Sequence, residues 1–154
     1  MARERVAVIG AGTMGNGIAH VFAQHGHEVV MIDVSEDRLE AAKATISANM
    51  DRQVKKGVLT EEEKAAALGR LTTAVTLEAA EGSGLVVEAV PEHFDLKAEI
   101  LATVGDVVPE GIVASNTSSI SITALAAKTR RPERVIGMHF MNPVPVMKLV
   151  EVIR

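Results

Sequence analysis

One local arrangement constrains this chain more than any other. The short β-branched run Arg5-Val6-Ala7-Val8-Ile9 passes directly into Gly10-Ala11-Gly12-Thr13-Met14-Gly15, and good helix formers follow from Thr13 to Gln24. The G-x-G-x-x-G spacing alone is weak, because 12 glycines in 154 residues can produce it by chance. Set between a strand and a helix, it predicts a dinucleotide-binding turn. Gly10 permits the tight turn, Gly12 lets the backbone approach a pyrophosphate, and Gly15 lets the helix pack close to the strand. The unpaired amides around Thr13 and Met14 then meet the anion at the positive end of the helix dipole.

A second strand, Glu28-Val29-Val30-Met31-Ile32-Asp33, ends in an acid 23 residues beyond Gly10. A carboxylate at that strand end accepts ribose hydroxyls and repels the extra phosphate of NADP, so the expected cofactor is NAD. The bland alternative is a strand-to-helix turn that favours Asp. Arg38 could serve a 2′-phosphate, but the pattern puts it on the solvated face of the next helix.

Beyond Asp33 the chain alternates. Gly26 reads as the C-cap of the first helix, and Ser35 as the N-cap of a long one from about Glu36 towards Lys56, ended by Gly57. Thr60 and Glu63 form a capping box for a helix to about Leu68. Strands are expected at 71–76, 85–90, 111–115, 135–140 and 149–153, with helices at 95–108 and 121–128. The order β-α-β-α-α-β-β-α-β-α-β-β predicts an α/β domain over 1–154, built on a doubly wound, mostly parallel sheet. With 2% aromatic residues the core must rest on aliphatic side chains, as helix-covered parallel sheets often do.

Composition excludes other classes. A net charge of −4 is too mild to drive binding to nucleic acid or to an anionic membrane. No apolar run approaches the ~20 residues of a membrane span. The apolar stretch after Met1-Ala2-Arg3-Glu4-Arg5 is too short for a signal peptide. The absence of cysteine excludes a disulfide scaffold and thiolate chemistry, and a cytoplasmic setting is expected. No metal site is expected.

Of the five histidines, His20 falls inside the first helix and reads as packed, while His25 and His27 flank Gly26 and read as solvated. His93 follows Pro91-Glu92 in a strand-to-helix loop with no evident acid–base partner. His139 differs: it ends an apolar run, and Glu151 follows twelve residues later within Leu149-Val150-Glu151-Val152-Ile153. A histidine held by a carboxylate is a good general base near neutral pH. On spacing alone a structural histidine and a surface glutamate on an edge strand are the commoner outcome. Ser115-Asn116-Thr117-Ser118-Ser119 follows a strand, where an open α/β sheet holds its ligand; the same residues also suit an N-cap cluster before Ser121.

Three blocks together resemble the L-3-hydroxyacyl-CoA dehydrogenases: Val-Ile-Gly-Ala-Gly-Thr-Met-Gly-Asn-Gly-Ile-Ala at 8–19, Ala-Ser-Asn-Thr-Ser-Ser at 114–119, and Gly-Met-His-Phe-Met-Asn-Pro-Val-Pro-Val-Met-Lys-Leu-Val-Glu-Val at 137–152. The third is the specific one, because generic NAD-binding folds do not share it. The resemblance implies a Rossmann-type NAD-binding domain of an oxidoreductase of fatty-acid β-oxidation. It puts a catalytic pair on His139 and Glu151, and a catalytic, substrate-binding serine on Ser118. It assigns cofactor contacts to the glycine loop, Asp33, Glu92 and Lys97, and substrate contacts to Asn142 and Lys56. Asn49 stands where the family has a serine that holds coenzyme A. The resemblance further implies a C-terminal helical domain that 1–154 lacks, a homo-oligomer, and a 3-hydroxyacyl-CoA/3-ketoacyl-CoA substrate pair. Two alternatives stay open: a relative acting on a small hydroxy acid, and a dinucleotide-binding module without activity of its own.

Overall fold

In the computed structural model, which describes residues 3–154, four-residue apolar strands form the centre of the molecule. Met1 and Ala2, at the start of the segment considered for a leader, lie outside the described residues. In chain order the elements are β1 (Val6–Ile9), α1 (Thr13–Gln24), β2 (Val29–Ile32), α2 (Glu36–Lys55), α3 (Glu61–Gly69), β3 (Leu71–Ala74) and β4 (Leu85–Glu88). Then come α4 (Phe94–Val107), β5 (Ile112–Ser115), α5 (Ile122–Ala126), β6 (Val135–Phe140) and β7 (Val150–Ile153).

The seven strands form one sheet in the order β3-β2-β1-β4-β5-β6-β7. Every pairing is parallel except β6 with β7, which is antiparallel. The strand order reverses between β1 and β4, the place where open parallel sheets bind ligands beyond their carboxyl ends. Side chains of β1 alternate between two cores, as a pleated strand requires. Val6 and Val8 pack with Ile18, Ile46 and Met50 beneath α1 and α2, whereas Ala7 and Ile9 pack with Leu101, Val104 and Leu125 beneath α4 and α5.

The expected element order is the observed one, and the local signals explain it. The Ser35 hydroxyl accepts the Arg38 amide, and Thr60 and Glu63 exchange both bonds of the capping box. Gly26 and Gly57 take positive φ just after α1 and α2. Two short 3-10 turns, Leu77–Ala80 and Pro132–Arg134, are additional. β4 stops at Glu88 rather than running to 90, because the Glu88 carboxylate turns back to accept the Val90 amide at 2.8 Å. α4 begins at Phe94 because His93 Nδ1 accepts the Leu96 amide at 3.2 Å, which gives the histidine a capping role.

Two histidine expectations resolve differently. His20 is packed, with Nε2 between Gln24 Oε1 at 2.9 Å and Gln53 Oε1 at 3.0 Å. His27 is not solvated as expected: it is half-buried, with its ring edge-on to Phe22. Exposed apolar side chains collect near the far edge of the sheet, at Val146, Met147, Leu149, Val152 and Ile153. Among the described residues no helix is long and apolar enough to cross a membrane, and no group of three or more His, Cys, Asp or Glu side chains could hold a metal ion.

Candidate active site

The carboxyl ends of β1, β2, β4, β5 and β6 open into one cleft of about 800 Å³. Gly10, Gly12, Thr13, Met14 and Asp33 line one end, and Ser118, His139 and Asn142 line the other. Most residues singled out in the sequence are therefore brought together by the fold.

At the first end, recognition rests on backbone. Gly10 has φ +105°, and a Cβ there would press on the Ala89 carbonyl oxygen at 2.8 Å. A Cβ on Gly15 would collide with the Gly10 carbonyl oxygen, so Gly15 is needed for packing and does not itself line the cleft. A Cβ on Gly12 would meet only Arg38 Nη2, at 3.6 Å, so the approach to its backbone is open. Gly12 caps α1 without any side-chain hydrogen bond, which leaves the first amides of the helix to an external acceptor. Asp33 is held by the Ala11 amide on Oδ2 at 3.0 Å and the Ser35 amide on Oδ1 at 3.2 Å. Each oxygen keeps a further lone pair for a ribose hydroxyl. An open loop of amides beside a fixed carboxylate fits the diphosphate and ribose of a dinucleotide.

Arg38 departs from expectation only in part. It belongs to α2, but in the first turn, and its side chain lies along the cleft with Nε 3.6 Å from Asp33 Oδ2. It is exposed, as expected of the solvated face, and it borders the cleft as well.

At the other end, a side-chain network fixes the loop after β5. Lys97 is 1% exposed, and its Nζ donates to Glu88 Oε2 at 2.6 Å and to the Val90 carbonyl at 2.9 Å. Glu92 Oε1 lies 3.2 Å from the same ammonium, so all three of its hydrogens are committed within the protein. Lys97 thus lies in the cleft wall and also holds Glu92 there. The second oxygen of Glu88, which is 0% exposed, accepts the Ser115 hydroxyl at 2.6 Å. Glu92 Oε2 accepts two hydroxyls, Thr117 and Ser119, each at 2.7 Å. These flank Ser118, which is exposed and lines the cleft. Burial pushes the Glu92 carboxyl up, but the Thr117 and Ser119 hydroxyls and the Lys97 ammonium outweigh it and hold its pKa at about 2.

Asn116 joins this loop to β6, its Oδ1 accepting the Phe140 amide at 2.8 Å. Asn116 belongs to the polar stretch 115–119 already marked in the sequence, whereas Glu88 did not stand out there. Its signal was an acid ending an apolar strand, readable only once β4 and β5 were known to be neighbours.

His139 and Glu151 are direct partners in the antiparallel β6–β7 register, so their side chains leave the same face of the sheet. His139 is half-buried and lines the cleft, while Glu151 is exposed on the edge strand and does not. Among the described residues their side chains are not hydrogen-bonded to one another. Lys56 is exposed at the C-terminal end of α2, outside the cleft lining.

Comparison with known proteins matches residues 5–154 to the family model described as the 3-hydroxyacyl-CoA dehydrogenase NAD binding domain. A 3-hydroxybutyryl-CoA dehydrogenase of Bradyrhizobium diazoefficiens is 56% identical over 152 residues, covering 98% of this chain and 52% of that protein. A 3-hydroxyadipyl-CoA dehydrogenase of Escherichia coli is 46% identical over 97% of this chain and 32% of its own length. The crystal structure of (S)-3-hydroxybutyryl-CoA dehydrogenase from Ralstonia eutropha superposes with a TM-score of 0.94 at 49% identity, over 97% of this chain and 53% of that one. The chain spans about half the length, or less, of these relatives.

Proposed function

The chain belongs to the 3-hydroxyacyl-CoA dehydrogenase family, whose NAD-binding domain it matches over residues 5–154, and from that premise we propose that it supplies the cofactor-binding and acid–base half of an enzyme interconverting L-3-hydroxyacyl-CoA and 3-ketoacyl-CoA. The observation that carries the reading is the single cleft: the glycine loop and Asp33 line one end, Ser118 and His139 the other. NAD, when bound, supplies the hydride acceptor in the oxidising direction.

The protein's own groups supply the rest. His139 takes the proton from the substrate hydroxyl, and in the reducing direction returns it. Glu151, its partner across the β6–β7 ladder, orients the imidazole and stabilises its cationic form. Ser118 donates a hydrogen bond to the substrate oxygen as it becomes a carbonyl, from a loop that Glu92 holds on both sides. Gly10, Gly12, Thr13, Met14 and Asp33 hold the cofactor, with Gly15 keeping α1 close and Glu92 and Lys97 bracing its nicotinamide end. Asn142 meets the substrate in the cleft, and Lys56 meets the phosphates of coenzyme A. The setting is the cytoplasm and the assembly a homo-oligomer.

Replacing His139 with Gln in the complete enzyme is expected to lower turnover about 100- to 10,000-fold while NADH affinity stays within about two-fold. Unchanged turnover on acetoacetyl-CoA removes the assignment. Because the chain spans about half of its Bradyrhizobium relative, a second reading is that residues 1–154 bind cofactor without turning over by themselves. Purified 1–154 would then bind NADH in calorimetric titration yet reduce acetoacetyl-CoA at a small fraction of the complete enzyme's rate.

A further inference from the structure

Asp33 has a second neighbour besides the two amides that fix it. The Arg38 guanidinium lies 3.6 Å from Oδ2, and its far nitrogen, Nη2, reaches to 3.6 Å from where a Cβ on Gly12 would stand. The cation is thus laid from the ribose-binding carboxylate across to the phosphate-binding loop. Its side chain is 54% exposed against 6% for Asp33, so the carboxylate is the fixed member and the arginine the one that can move. Arg38 and Lys97 are the Lys and Arg side chains that line the cleft, and Lys97 has no hydrogen left to give.

We propose that Asp33 and Arg38 form a coupled specificity device in which Asp33 rejects NADP twice. It repels a 2′-phosphate by its own charge, and it detains the one cation placed to accept that phosphate. Arg38 is therefore a latent 2′-phosphate site, kept closed by the same carboxylate that selects NAD. An Arg guanidinium is the side chain best suited to that ligand, because its planar fork meets phosphate oxygens bidentately. Glu36 and Asp37 share the first turn of α2 with Arg38, so release of the arginine should give measurable rather than tight NADPH binding.

The test is binding, read from the fluorescence of NADH and NADPH titrated with the unaltered chain, Asp33→Asn, Arg38→Leu and the double variant. Asp33→Asn removes the charge and keeps one oxygen for the Ala11 or Ser35 amide, at the cost of the other amide's acceptor. It is expected to bind NADPH about ten- to a hundred-fold more tightly than the unaltered chain does, the worth of a charge-assisted contact. Arg38→Leu on that background should abolish the gain. A gain that survives in the double variant overturns the proposal. So does a folded Asp33→Asn that binds NADH and gains nothing for NADPH. If Asp33→Asn does not melt cooperatively, Asp33→Ser is read by the same criteria. Failure of the unaltered chain to bind NADH would strike the cofactor assignment instead, which keeps the two outcomes apart.

Discussion

At the glycine-loop end of the cleft, the recognising groups are backbone amides exposed by missing side chains. At the reaction end they are hydroxyls, carboxylates and one buried ammonium. The amide loop at the first end comes from six contiguous residues, Gly10 to Gly15, between one strand and one helix, with Asp33 added from the end of β2. The second draws Glu88, Glu92, Lys97, Ser115, Thr117 and Ser119 from β4, α4, β5 and their loops. A backbone site is rigid because nothing larger fits. A side-chain site is rigid only while every member keeps its partner.

That contrast is sharpest at Gly15 and Gly12. Gly15→Ala drives a methyl into the Gly10 carbonyl, and it is expected to prevent folding or to cost more than about 4 kcal/mol in urea denaturation. Gly12→Ala meets only the movable end of Arg38, so it should melt near the parent temperature and lose NADH affinity instead. If both glycines tolerate alanine equally, the account of the loop fails.

Next in size is Lys97→Met, which strands Glu88 in the core and should cost about 3–5 kcal/mol. Adding Glu88→Gln to it removes the stranded charge and should recover part of that loss, because the penalty is one of unpaired burial. Additivity of the two changes would break the comparison, since it would mean that the reaction end is not a network.

The smallest effect is on pH dependence. The folded pKa of Glu92 lies at about 2, below that of an ordinary carboxylate, so its contribution to stability is present above about pH 4.5 and is lost as pH falls towards 2. Glu92→Gln should flatten the melting temperature across that window. His20 acts higher on the scale. Burial lowers its pKa below 6.5 despite the Gln53 and Gln24 contacts, so stability should start to fall as pH drops below about 6.5. His20→Gln should remove that upper step and leave the lower one.

The two ends also differ in how far the sequence discloses them. The glycine loop and Asp33 are legible because strand, turn and helix are local, and because glycine spacing reports close approach directly. Ser35, Thr60 and Gly57 are legible for the same reason, each ending or starting a helix within four residues of its partner. The reaction end is not. Ser115 meets Glu88 across 27 residues and Thr117 meets Glu92 across 25, pairings that exist only because β4 and β5 are neighbours. The local pattern correctly marked 115–119 as a ligand-facing stretch but could not say that Thr117 and Ser119 face Glu92 while Ser118 is left free. Arg38 was read in part. Helical phase correctly assigns it to the exposed face, but only the fold shows that this face borders the cleft beside Asp33.

The β6–β7 ladder makes chain length itself a chemical variable. Residues 141–149 join the strand that carries His139 to the strand that carries Glu151, and the two are opposite only in the present register. Removing or adding a single residue in that connection shifts the pairing by one, sets Val150 or Val152 across from the imidazole, and turns the carboxylate to the opposite face. Strands β1 to β5 would keep their pairings, but Val144, which packs from this connection into the core beneath α1, would have to reseat. A change of length in that connection would thus separate His139 from Glu151 while leaving both residues in the sequence.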